Sequence, residues 1–148
     1  MSNLRFTVNG ESNSTTQFVA NARHFKLVVD EPEDFGGTDA AANPVEYILA
    51  GLAGCINGVG HLVAKELKFV ISKLNINVSG AINPDNLLGI SSSDKAGFKS
   101  ILIDLVPETD ADIVTLFKWL KIVEDRCPVK DMLRNETPVK LSVEKVYS

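Results

Sequence analysis

A stretch of about 25 residues, "NPVEYILAGLAGCINGVGHLVAKEL" (residues 43–67), dictates much of what this chain can become. It opens as a helix should. Asn43 is a good N-cap, Pro44 suits the first helical position, and Glu46 stands where a capping box needs an acid. A helix over this span would be nearly 40 Å long, at about 1.5 Å per residue. Most of its surface is apolar or small, so the expectation is burial on most sides. Gly51, Gly54, Gly58 and Gly60 each cost up to about 1 kcal/mol against alanine, which implies close backbone approach to another element, or a kink. A membrane span is not expected. The uninterrupted run from Tyr47 to Ile56 is too short, Asn57 and His61 break it, and no aromatic or basic belts flank it.

The rest of the chain alternates with this helix. Residues 3–9 and 16–30 read as strands, the second ending at Pro32. "EPEDFGGTDAAANP" is a loop marked by Gly36 and Gly37. After the helix, Leu74, Ile76 and Val78 alternate with polar residues, as do Ile101, Ile103 and Leu105, which predicts two half-exposed strands around a polar loop. A second helix is expected from Thr109 or Asp110, with Ile113, Leu116, Leu120, Val123 and Cys127 on its apolar face. Pro128 ends it, since a residue before proline avoids the helical region. "PVKLSVEKV" reads as a closing strand. This order predicts an α+β fold: one domain over residues 1–148, a mostly antiparallel sheet, a long buried central helix and a second helix.

With 148 residues the chain can bury a real core but not two comfortable ones. Its net charge of −4 argues against nucleic acid and against anionic membrane surfaces. "MSNLRFTVNG" has no apolar signal core, so the expected location is the cytoplasm. There, two cysteines are poor candidates for a structural disulfide.

Four readings compete for Cys55 and Cys127. Both could be small buried hydrophobes. Zinc would need partners, and His24 and His61 are the only histidines, with no C-x-x-C or H-x-x-x-H spacing. A nucleophile activated by His61 is disfavoured, because six residues place that histidine about 240° around the helix from Cys55. A redox pair is the fourth, one thiol attacking and the other resolving.

"DEPEDFGGTDAAANPVEYILAGLAGC", followed by "VEDRCPV" and "TPVKLSVEK", resembles the OsmC/Ohr family of thiol-dependent hydroperoxide reductases over residues 18–145, and most resembles the OsmC-like redox branch. The resemblance implies an intertwined homodimer with active sites at the subunit interface. It implies reduction of a small organic hydroperoxide, with Cys55 peroxidatic and Cys127 resolving the sulfenic acid as a disulfide. A dithiol, from a lipoyl protein or thioredoxin, would regenerate the enzyme. No metal, flavin or haem is implied.

An apolar surface around Cys55 would suit an alkyl peroxide, but burial without a cation raises a thiol pKa. The resemblance points to Arg23 as the arginine paired with the thiolate; Arg5, Arg126 and Arg134 are the alternatives, and Arg126 adjoins Cys127. The family's peroxidases place the glutamate that holds this arginine directly after the N-P proline. Here Val45 is in that place and Glu46 comes one later, about 100° further around the helix. Glu46 precedes Cys55 by nine residues, about 13.5 Å along the axis, so any contact would come from a partner's antiparallel helix. Asn57 and His61, if buried, need hydrogen-bond partners; Tyr47 and Phe25 are candidates for a pocket wall or for core. The displaced glutamate favours a second reading, a non-catalytic protein that binds a small apolar or thiol-reactive ligand at the interface.

Overall fold

The computed structural model describes residues 1–148, which fall into two compact units, Met1–Ala50 and Gly51–Ser148. The fold is α+β, with three α-helices and two small antiparallel sheets.

The first unit carries β1 (Asn9–Ser12), β2 (Phe18–Ala22) and β3 (Phe25–Val29), in the order β1-β2-β3. Ala22 pairs with Phe25, so Arg23 and His24 form a two-residue hairpin turn. Such turns demand positive φ, and Arg23 supplies it at 55°. Its guanidinium lies 5.0 Å from the centre of the Phe25 ring.

β3 leads into a loop built on Asp30, whose carboxylate is fully buried. It accepts from Thr16 Oγ1 (2.9 Å), Thr38 Oγ1 (2.6 Å) and the backbone N–H groups of Glu31 (2.8 Å) and Ala40 (3.1 Å). A buried charge without a cation survives only when such dipoles surround it. Gly37 packs directly against the Glu31 backbone, where a side chain would not fit.

The loop delivers the chain to α1 (Pro44–Glu66), whose start is the reciprocal capping box expected from sequence. The Glu46 N–H donates to Asn43 Oδ1 (2.9 Å), and the Asn43 N–H donates to Glu46 Oε1 (3.0 Å). Tyr47 Oη donates to the Val28 carbonyl at 2.6 Å, tying the helix start to β3.

α1 continues into the second unit, which adds β4 (Ile71–Ala81), β5 (Ser100–Thr109), α2 (Ile113–Arg126) and α3 (Pro128–Arg134). β4 and β5 pair antiparallel, from Ile71 opposite Thr109 to Ala81 opposite Ser100. The expected alternation packs Leu74, Ile76, Val78, Ile101, Ile103 and Leu105 against the core. That core holds Leu52, Ile56, Val63 and Ala64 of α1, Ile71 of β4, Trp119 and Val123 of α2, and Cys127. Trp119 lies against Gly60: its Nε1–H donates to the Gly60 carbonyl at 2.8 Å, and a Cβ at residue 60 would sit 3.1 Å from the indole.

Residues 16–30, expected as one strand, instead fold back on themselves at the Arg23–His24 turn as the hairpin of β2 and β3. Five further sequence expectations need correction. α2 starts at Ile113, not 109 or 110, because β5 pairs through Thr109 and Asp112 caps the helix through the Thr115 N–H (2.8 Å). Its packed stripe runs through Leu116, Trp119, Val123 and Cys127, while Ile113 is exposed. Pro128 ends α2 as expected but also opens α3. No strand forms at residues 3–8 or over "PVKLSVEKV", where no neighbour pairs the backbone; Leu4, Phe6 and Val8, like Val139, Leu141 and Val143, stand exposed.

The fifth concerns α1. It is long and apolar enough to cross a membrane by length and composition, yet one stripe of it (Leu52, Ile56, Val63, Ala64) is core. It is not buried on most sides: Tyr47, Ile48, Gly51, Gly54, Asn57, Gly58, His61 and Leu62 are exposed, and only Gly60 meets another element closely. Neither unit by itself covers that face.

Candidate active site

Cys55 lies midway along α1, half-buried, between the core residues Leu52 and Ile56. Cys127 is buried at 2% exposure in the joint between α2 and α3. Proline at 128 forces this joint. Cys127 takes extended dihedrals (φ −76°, ψ 112°), caps α2 through its N–H to the Val123 carbonyl (3.1 Å), and accepts the Asp131 N–H of α3 on its own carbonyl (3.0 Å). Held from both sides, its side chain is directed at α1. The two sulfurs are 3.1 Å apart, both as free thiols.

Burial pushes the Cys55 thiol above its ordinary value of 9.0, because an apolar setting penalises the thiolate. The nearby backbone amide of Val129 pulls the other way, and the neighbouring Cys127 adds to the rise. Within residues 51–148 no cation acts on Cys55. Arg126, one residue before Cys127, is engaged elsewhere: its guanidinium forks onto the Glu66 carboxylate, Nη1 to Oε2 at 2.6 Å and Nη2 to Oε1 at 3.1 Å.

Behind Cys127 a cavity of about 130 Å³ opens between α1, β5 and α2, walled by Ile56, Ile103, Leu105, Leu120 and Val123. Lys130 and Glu124 stand at its polar side.

The other residues singled out from sequence have local settings of their own. Arg23 is exposed on the β2–β3 turn without an ion pair, beside His24, whose ring stacks 4.0 Å from Phe25. The Glu46 carboxylate is occupied in the capping box of its own helix. Arg5 lies in the unpaired N-terminal segment and Arg134 ends α3. Asn57 and His61 are exposed, so they need no buried partner.

Sequence reasoning missed the Val129 amide, the Arg126–Glu66 fork and the central place of Trp119. The first had a signal: Pro at the first helical position announces a new helix, and the next N–H in such a helix is free to donate. The fork had none, since its partners are 60 residues apart.

The sequence pattern of the OsmC-like protein family matches residues 37–142. No curated protein sequence matches at significant similarity. Among solved structures, an OsmC-like protein from Mycoplasma pneumoniae superposes with a TM-score of 0.78 at 21% identity, over 90% of this chain and 89% of that one. An organic hydroperoxide resistance protein from Elizabethkingia anophelis gives 0.66 at 16% identity, over 90% of each chain. One from Legionella pneumophila gives 0.65 at 16%, over 90% of this chain and 92% of that one. At these identities the likeness is one of fold.

Proposed function

The chain belongs to the OsmC-like family, and from that premise we propose that it is a thiol peroxidase that reduces small organic hydroperoxides through Cys55 and Cys127. The observation that carries the reading is the 3.1 Å approach of the two sulfurs. Two free cysteines can be neighbours by packing alone, but these are brought together by a proline-built joint that aims one at the other.

The chemistry balances as follows. The Cys55 thiolate attacks the outer peroxide oxygen; the O–O bond breaks, the alkoxide takes a proton and leaves as the alcohol, and Cys55 becomes the sulfenic acid. Cys127 then attacks the Cys55 sulfur, forming the disulfide and releasing water. A dithiol reductant, a lipoyl protein or thioredoxin, returns both thiols and is itself oxidised to its disulfide. A reducing compartment such as the cytoplasm suits two free thiols.

The working form is a homodimer. The exposed face of α1 and the unpaired apolar segments at both ends of the chain support this, since monomeric proteins rarely leave large apolar patches bare and such patches mark interaction surfaces. A partner also offers what residues 51–148 lack: a cation for Cys55, with Arg23 the candidate and Glu46 its anchor.

The test is steady-state consumption of cumene hydroperoxide with a dithiol. Turnover in the wild type, abolished in Cys55→Ser, is the expected result. Binding of the peroxide or of a thiol-reactive ligand without turnover would overturn it in favour of a non-catalytic binding protein, a reading that the raised Cys55 thiol supports.

A further inference from the structure

Two polar contacts tie α2 to α1. Trp119 Nε1 holds the Gly60 carbonyl (2.8 Å), and the Arg126 guanidinium forks onto Glu66, the last residue of α1. Trp119 is buried and its contact is a fixed point; seven residues separate it from Arg126, about 10.5 Å along α2. With that polar contact alone, the far end of α2 would be held against α1 by the packing of Val123 and Cys127, which resists a small swing less sharply than a fork does. With this lever arm, a swing of about 6° carries the end of α2 by about 1 Å. That is the distance at issue for Cys127, the next residue. The sulfurs stand 3.1 Å apart, and a disulfide needs them at about 2.05 Å.

We propose that the Arg126–Glu66 fork is a clamp that positions Cys127 against Cys55 and thereby sets how readily the disulfide closes. Glu66 is suited to this by its place on α1. It follows Cys55 by eleven residues, about 20° from three full turns, so both lie on one face of the helix. Arg126 is suited by being planar and two-pronged: a fork fixes direction as well as distance, which a lysine would not. Both side chains are half-exposed, at 42% and 48%, so water screens them and the pair adds little to global stability. Its consequence is local. Glu66 and Arg126 are positioning residues, acting on the reacting sulfurs only through Cys127. The proposal rests on the thiol-peroxidase reading for the use of the disulfide, not for its formation.

The experiment equilibrates the full-length protein with mixtures of oxidised and reduced glutathione and reads the Cys55–Cys127 disulfide by mass spectrometry. Oxidised glutathione takes the two electrons and leaves as two thiols, so no peroxide is needed. Glu66→Gln and Arg126→Gln should each lower the equilibrium constant for closure about threefold, a shift of about 14 mV in potential. Thermal unfolding should hardly move. The swap Glu66→Arg with Arg126→Glu should restore much of the closure, and 1 M salt should bring the wild type towards the single variants. Wild-type closure in both single variants would overturn the proposal, as would a wild type that forms no such disulfide in any glutathione mixture. A wild type that closes in glutathione yet consumes no peroxide would sink the peroxidase reading alone and leave the clamp supported by its variants.

Discussion

Cys55 and Cys127 are 72 residues apart in sequence and 3.1 Å apart between sulfurs. Closing them into a disulfide requires a movement of about 1 Å, within the reach of side-chain rotation and a small shift of the α2–α3 joint. Peroxide treatment should therefore yield a Cys55–Cys127 peptide pair, and Cys127→Ser should stop at sulfenic or over-oxidised Cys55. Dimedone labelling followed by mass spectrometry reads both species. Absence of the linked peptide in the wild type would reduce Cys127 to a packing residue.

The Cys55 thiol is pushed above 9.0 by burial, with only the Val129 N–H in opposition within its own unit. A thiol in that state is mostly protonated at neutral pH, and its reactivity should climb as pH rises towards the elevated value. If a guanidinium from Arg23 reaches it in the assembled protein, the pKa falls, because a nearby positive charge favours the thiolate. Arg23→Ala should then move the pH profile of iodoacetamide alkylation at Cys55 to higher pH and slow peroxide attack, leaving the fold intact. Arg23→Lys should recover part of the rate, for lack of the planar fork. An unmoved profile in Arg23→Ala would exclude Arg23.

Gly58 and Gly60 occupy one helix in opposite circumstances. A Cβ at Gly60 would stand 3.1 Å from the Trp119 indole, itself fixed by its hydrogen bond. Gly60→Ala should cost about 1–2 kcal/mol, overpacking outweighing the gain in helix propensity. Gly58 has open space within the chain. In a monomer Gly58→Ala should stabilise by about 0.5–1 kcal/mol. In a dimer packed on this face it should instead weaken association. Denaturant unfolding at two protein concentrations separates the cases, because only association makes the midpoint depend on concentration.

Asp30 is a buried carboxylate without a cation, and its charge is held by Thr38, Glu31, Ala40 and Thr16. These donors keep its pKa well below the ordinary 3.8. The sign follows: the folded state prefers the charged form, so this stabilisation is fully present above the unfolded value and is lost as pH falls below about 4. Asp30→Asn should lower the denaturation midpoint at pH 7, because the amide turns a donor towards other donors. The variant should also lose part of the wild type's acid sensitivity. Equal slopes of stability against pH below 4 in the two proteins would contradict this role.

How much of this was legible beforehand depended on whether the signal was local. The Asn43–Glu46 box, the alternating β4 and β5, and the break at Pro128 are short-range rules, and each was readable. α3 was missed because Pro128 was read as a stop and not as a first helical residue. The stripe of α2 was misassigned because Ile113 and Leu120 match the helical period as well as Trp119 does, and only the contact with Gly60 decides between them. The approach of Cys127 to Cys55 was inferred through family resemblance, since no spacing rule reaches across 72 residues. The Arg126–Glu66 fork lay beyond both routes.

The ends of the chain carry the last prediction. Val139, Leu141 and Val143 are 76%, 91% and 96% exposed and alternate with Lys140, Ser142 and Glu144. This is strand patterning without a strand, and Leu4, Phe6 and Val8 repeat it at the other end, at 76%, 88% and 58%. An apolar row with period two has no use in water; it implies a sheet face to lie on. In a folded monomer Leu141→Asp would be a surface change, worth within about 0.5 kcal/mol either way. In a homodimer whose terminal segments pair across subunits, it would bury a carboxylate inside an obligate interface of about 2,000 Å² or more. Sedimentation at micromolar concentration should show the wild type as a dimer and Leu141→Asp as a weakened dimer or an unfolded chain. A folded wild-type monomer, with Leu141→Asp equally stable, would show that the exposed row serves something other than self-association.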